Sequence, residues 1–115
     1  TLQGKWEIRF SQAGMTPGTK YAAGSKHYLI FSGSNYQEVN SGVQLSSGTF
    51  VIRTAPKPTD VCLSGIPDEA KSQLVWDPAP GGQIPYFLFE GSKLKLFAGC
   101  SALDSGSYSE WEWVE

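Results

Sequence analysis

Apolar and polar residues alternate strictly near both ends of this chain. In Lys5-Trp6-Glu7-Ile8-Arg9-Phe10, the side chains of Trp6, Ile8 and Phe10 are expected on one side and Lys5, Glu7 and Arg9 on the other. In Ser109 to Val114, Trp111 and Trp113 share one side and Glu110 and Glu112 the other. A strand of this kind has one dry face and one wet face, which is the signature of an antiparallel sheet. No segment carries a helical period long enough for a helix of average length.

The same reading runs along the chain. Strands are expected at His27–Ser32 and Asn35–Asn40, joined at Gly33-Ser34, and at Val43–Leu45 and Thr49–Thr54, separated by Ser46-Ser47-Gly48. Others follow at Gln73–Trp76, at Tyr86–Glu90 and, after a tight turn at Gly91-Ser92, at Lys93–Ala98. Three stretches read as connections. Ser11–Lys26 is long, rich in small residues and holds Pro17. Ala55–Ser72 has one expected helical turn at Pro67–Lys71, with Pro first, acids early and Lys late. Asp77–Pro85 is too rich in proline to pair as a central strand.

Composition narrows the class. The chain has 115 residues, 40% hydrophobic and 17% charged, with a net charge of −2. One domain spanning residues 1–115 is expected. A disordered tail is excluded, and the Lys/Arg surplus that phosphate contacts require is missing, so no nucleic-acid partner is expected. No apolar run approaches the ~20 residues of a membrane-spanning helix. About eight short strands leave two exposed edges unless the sheet closes on itself or packs as a sandwich. Pairing the first strand with the last would bring Trp6, Trp111 and Trp113 into one interior; a sandwich would bury the same residues.

Catalytic chemistry has little to work with. His27 is the only histidine, and no Gly-x-Ser-x-Gly elbow accompanies it. It reads as a structural residue, and no catalytic activity is expected. Glu110 and Glu112 would stand ~7 Å apart on one strand face; paired carboxylates can cleave glycosides, but these point outward if the tryptophans point inward. Asp60, Asp68, Glu69, Asp77 and Asp104 are too scattered for a calcium loop. No metal or cofactor is expected. Cys62 and Cys100 lack CxxC spacing. They are either buried thiols or one disulfide, and their turn-like surroundings favour the bridge. It would contribute roughly 4 kcal/mol on the chain-entropy model and place the protein in an oxidising compartment: secreted, periplasmic or on the cell surface.

Fifteen aromatic residues carry the remaining signal: four Trp, five Tyr and six Phe. By strand parity, Leu29, Phe31, Phe50, Ile52, Phe87, Phe89, Leu94, Leu96, Trp111 and Trp113 are the candidates for an apolar interior. Small barrels of eight strands are either filled by such side chains or hold one small ligand.

Several motifs point one way. Leu2-Gln3-Gly4-Lys5-Trp6 resembles the Gly-x-Trp opening of the lipocalins and the wider calycin group. Phe31 to Tyr36 with Ser47 to Phe50, and Tyr86 to Leu96 with Asp104 to Trp113, resemble the hairpins of bacterial lipocalin-like domains. The resemblance implies a small antiparallel up-and-down β-barrel of about eight strands, with a long loop after the first strand and with Gly4 and Trp6 closing the narrow end. It implies an exported, non-catalytic protein that binds a small hydrophobic molecule at the open end, under Ser11–Lys26. The family's arginine that packs on the opening Trp has no counterpart, since no Arg follows Arg53. The other reading is a structural or cell-surface module with a filled core, whose loops and edges bind a protein or polysaccharide.

Overall fold

The computed structural model describes residues 2–13, 17–54, 70–77, 84–98 and 107–114. Cys62, Cys100 and Pro67–Glu69 lie outside these residues. Among the described residues nine strands follow in order: β1 (Gly4–Ala13), β2 (Thr19–Lys20), β3 (His27–Ser32), β4 (Asn35–Asn40), β5 (Val43–Thr54), β6 (Ser72–Asp77), β7 (Tyr86–Glu90), β8 (Lys93–Ala98) and β9 (Ser107–Trp113). From β3 to β9 each strand pairs antiparallel with the next, β1 pairs with β3, and β1 also pairs with β9. The sheet therefore closes into an eight-stranded barrel, with the two-residue β2 appended to β1. Closure removes the edges that an open sheet would expose. No helix among the described residues is long and apolar enough to cross a membrane.

The closing seam joins the two amphipathic ends of the chain. Trp6 lies opposite Trp113 and Ile8 opposite Trp111. Residues opposite each other in an antiparallel pair share a face, so these four side chains lie on the inner face. Inside, Trp6, Ile8, Leu29, Phe31, Tyr36, Phe50, Leu74, Trp76, Phe87, Leu94, Leu96 and Trp111 form one buried cluster with Leu2. Each fully buried side chain of this size contributes about 1.5–3 kcal/mol relative to exposure. Outside, Lys95 pairs with Glu90 at 3.2 Å and Lys93 with Glu110 at 3.7 Å, and Glu112 accepts a hydrogen bond from Ser92 Oγ at 2.6 Å. The charged residues of β7, β8 and β9 thus form the wet face.

Two bulges alter what strict alternation predicts. In β1 the register passes from Ile8 opposite Trp111 to Phe10 opposite Glu110, leaving Arg9 as the extra residue. One extra residue exchanges the faces beyond it. Phe10 therefore does not join Trp6 and Ile8; it lies outside against Tyr108, with ring centroids 5.9 Å apart. Gly18 packs on that ring so closely that a Cβ there would fall 2.0 Å from the Phe10 ring. In β5, Glu38 lies opposite Ser46 and Val39 opposite Gln44, so Leu45 is the extra residue. This bulge lets Val43–Thr54 run as one strand through Ser46-Ser47-Gly48, where a break was expected.

Three residues expected inside are substantially exposed: Ile52 by 52%, Phe89 by 42% and Trp113 by 50%. Each has the inward parity but lies where the packed interior ends. β5 outruns β4, whose last partner on it is Thr49, so Ile52 has a strand on one side only. β6 and β7 pair at Ser72–Phe87 and Gln73–Tyr86 alone, so Phe89 lies beyond that pairing. Trp113 sits on the rim, where the stacked rings of Trp6 and Phe89, 5.8 Å apart, take up the space at the barrel end.

Candidate functional site

The geometry at the Trp6 end begins with a glycine. Gly4 has φ +127°, a backbone conformation that side-chain-bearing residues rarely adopt. It turns the chain so that Leu2 tucks under the barrel, 2% exposed, and its carbonyl accepts the Trp6 Nε1–H at 2.9 Å. The indole is thus buried with its one polar atom satisfied, as a buried Trp requires. The Gln3 side chain bonds the neighbouring hairpin turn in both directions, donating to Gly33 O and accepting from Gly33 N, each at 2.8 Å.

Beside this plug lies a cleft of about 800 Å³. Leu2, Ile52, Phe87 and Phe89 form its apolar wall, and it continues over Leu88, Phe97 and Tyr108 on the outer face of the sheet. It passes from inner to outer face where β6 and β7 stop pairing. Lys71, Lys95 and Glu90 stand at its margin. Lys95 is engaged by Glu90, whereas Lys71 has no carboxylate partner among the described residues. Burial and the neighbouring Glu110 carboxylate raise the Tyr108 phenol well above its ordinary pKa, so it stays a protonated donor at the far wall.

The opposite end, under the loop that follows β1, is occupied by polar pairs. His27 lies on the inner face, because its strand neighbours Leu29 and Phe31 do. Its Nε2–H donates to Glu38 Oε2 at 2.7 Å, and its ring meets Trp111 edge-on at 5.4 Å. Tyr36 and Ser46 share a hydrogen bond at 3.0 Å, Trp111 Nε1–H donates to Ser109 Oγ at 2.8 Å, and Ser11 and Tyr21 bond at 3.2 Å. These groups satisfy one another and leave a space of about 150 Å³ between Trp76, Leu96 and Trp111. His27 is thus held by a hydrogen bond and a ring contact. Its partner Glu38 was missed, since Asn35–Asn40 shows no clear alternation. The two-residue turn at Gly33-Ser34 held the missing signal, because it places Leu29 opposite Glu38.

A buried acid sits outside the barrel. The Glu7 side chain is 4% exposed. Gly24 N–H donates to its Oε1 at 2.9 Å and Lys26 N–H to its Oε2 at 3.3 Å, and Arg9 Nη1 donates to Oε1. Burial pushes this carboxyl up, but the Gly24, Arg9 and Lys26 donors outweigh it and hold the acid below its ordinary range. Glu7 therefore pins the loop to the sheet. Lys26 pays for this in backbone conformation, with φ +63° at a non-glycine position. Replacing the exposed Lys26 by Gly should raise stability by about 0.5–1 kcal/mol in urea unfolding, since the left-handed penalty goes and the N–H to Glu7 stays.

Of the ten residues expected to line a ligand space, Ile52, Phe87 and Phe89 line the larger cleft. Leu96 and Trp111 line the smaller space. Leu29, Phe31, Phe50 and Leu94 are buried in the core, and Trp113 is on the rim. Leu2, Lys71 and Tyr108 were not expected at the cleft; their placement depends on which strands stop pairing. No group of three His, Cys, Asp or Glu among the described residues could hold a metal ion. Comparison with protein-family models, curated proteins and solved structures returned no match.

Proposed function

We propose that this barrel is a non-catalytic binding module of lipocalin-like type that takes a small apolar molecule in the cleft at its Trp6 end. The observation that carries this reading is the cleft of about 800 Å³ walled by Leu2, Ile52, Phe87 and Phe89. That volume lies in the range of small-molecule sites, which are mostly apolar with few polar groups. Its position departs from the family expectation of an open-end site. The polar pairs around His27, Tyr36 and Ser109 favour this shift, because an apolar guest there would strand groups that now satisfy one another. Lys71 at the margin suits a guest with an anionic end. An exported location fits the reading if Cys62 and Cys100 are bridged.

The test uses tryptophan emission, since Trp6 stacks on Phe89 at the cleft. Fatty acids, retinoids and haem are titrated into the protein. Saturable quenching or a spectral shift is expected with at least one, weakened about tenfold or more by Ile52→Lys, which places a charge on the apolar wall at a half-exposed position. Absence of any saturable change, or an unaltered response in the variant, would remove the cleft as a site.

A further inference from the structure

We propose that the edge of β5 at residues 51–54, which no described strand covers, docks an extended peptide, which adds to the barrel as an antiparallel strand with an apolar residue beside Ile52 and an acidic residue beside Arg53. This inference does not rest on the small-molecule reading, although both occupants use Ile52 at the cleft; protection of main-chain amides belongs to the peptide alone.

The stagger of the barrel creates the edge. β5 pairs with β4 as far as Thr49, and the next residue makes the last bond on that side, Phe50 N–H to Ser34 O at 2.9 Å. On its other side β5 stays paired with β6 through Thr54. Backbone groups in a strand point to alternate sides. Since the Phe50 N–H points toward β4, the N–H and C=O of Ile52 and Thr54 point the same way, past the end of β4. They meet no hydrogen-bond partner among the described residues. Two donor–acceptor pairs about 6.8 Å apart along a strand are met in full by another extended main chain.

Side chains specify the occupant further. Val51 and Ile52 are 62% and 52% exposed, and the run Val51-Ile52-Arg53-Thr54 has none of the Lys or Pro residues that usually blunt an edge. Ile52 has inner parity and opens on the cleft beside Leu2 and Phe89. A residue directly opposite it in an added strand would share that face, so it must be apolar. Arg53 has outer parity. Its Nε and Nη2 donate to Gln73 Oε1 at 3.2 and 2.6 Å, a neutral partner that leaves donors of the guanidinium fork available. A carboxylate opposite Arg53 supplies the charge that Gln73 does not. An antiparallel partner therefore reads acidic, apolar, apolar along its own direction.

The probe is the peptide acetyl-Ser-Thr-Glu-Leu-Val-amide, added to the isotope-labelled full chain and followed by amide shifts and hydrogen exchange. Binding is expected to protect the Ile52 and Thr54 amides and to weaken about tenfold when the leucine nitrogen is methylated, since that removes the donor to Ile52 O while keeping the side chain. Arg53→Glu should weaken the parent peptide and favour its Glu-to-Lys counterpart; Arg53 is exposed, so folding is not at stake. Equal binding of parent and methylated peptides, or no binding at about 1 mM, would overturn the proposal. So would a concentration-dependent dimer with the two amides already protected, which would assign the edge to a second copy.

Discussion

Trp6→Ala is expected to destabilise the barrel by about 3–5 kcal/mol and to abolish ligand-induced emission changes at the cleft. Truncating a buried Trp removes transfer free energy and leaves a cavity that a closed sheet cannot collapse to fill. The indole is 4% exposed and lies between β3 and β9, opposite both Leu29 and Trp113. Its loss also leaves the Leu2 carbonyl without its donor and Phe89 without its stacking partner. Urea unfolding at neutral pH measures the first effect. Trp6→Phe separates the terms: it keeps most of the apolar surface and loses the hydrogen bond, so it should cost less than half as much. A loss for Trp6→Ala below about 1 kcal/mol would mean that this end of the barrel is not the closed, packed end described.

Glu7→Ala should cost roughly 2–4 kcal/mol, large for a residue on the outer face. It leaves Arg9 half-shielded without a carboxylate and the N–H groups of Gly24 and Lys26 without an acceptor. The pH dependence identifies the cause. The folded-state pKa of Glu7 is lowered relative to the unfolded chain, so its contribution is fully present above the ordinary glutamate value of about 4.3. It is lost as pH falls through the folded-state value. Wild-type stability should therefore drop on acidification in this range more steeply than that of Glu7→Gln, which cannot titrate there. Parallel acid profiles for the two proteins would show that the charge of Glu7 does not hold the loop. Hydrogen exchange at Gly24 and Lys26 should quicken in either variant, because both amides bond to this side chain.

Much of the barrel was legible in the residues alone. Alternation marks a strand because successive side chains point to opposite faces, and Lys5 to Ile8, Leu29 to Phe31, Lys93 to Leu96 and Glu110 to Trp111 all obey it. Two amphipathic ends that each needed a partner allowed a closed barrel or a sandwich; the structure decides for the barrel by pairing them with each other. Where single residues were misplaced, the cause was an event in the pairing rather than in the local pattern. Phe10 is apolar and correctly spaced from Ile8, yet one bulged residue at Arg9 turns it outward onto Tyr108 and Gly18. Glu38 looks like a surface acid in its own strand and becomes an inner residue only because the Gly33-Ser34 turn sets it opposite Leu29.

The sequence by itself determined the all-β class, the antiparallel order and the inner face of most strands, because a two-residue period is a local property of the backbone. Only the tertiary structure decided where the cleft lies and which edge of β5 no described strand covers. Both arise because β5 outruns β4 and β6 leaves β7 early. Such stagger is fixed by how tilted strands close around a packed interior, a condition on all of them at once that no single segment carries.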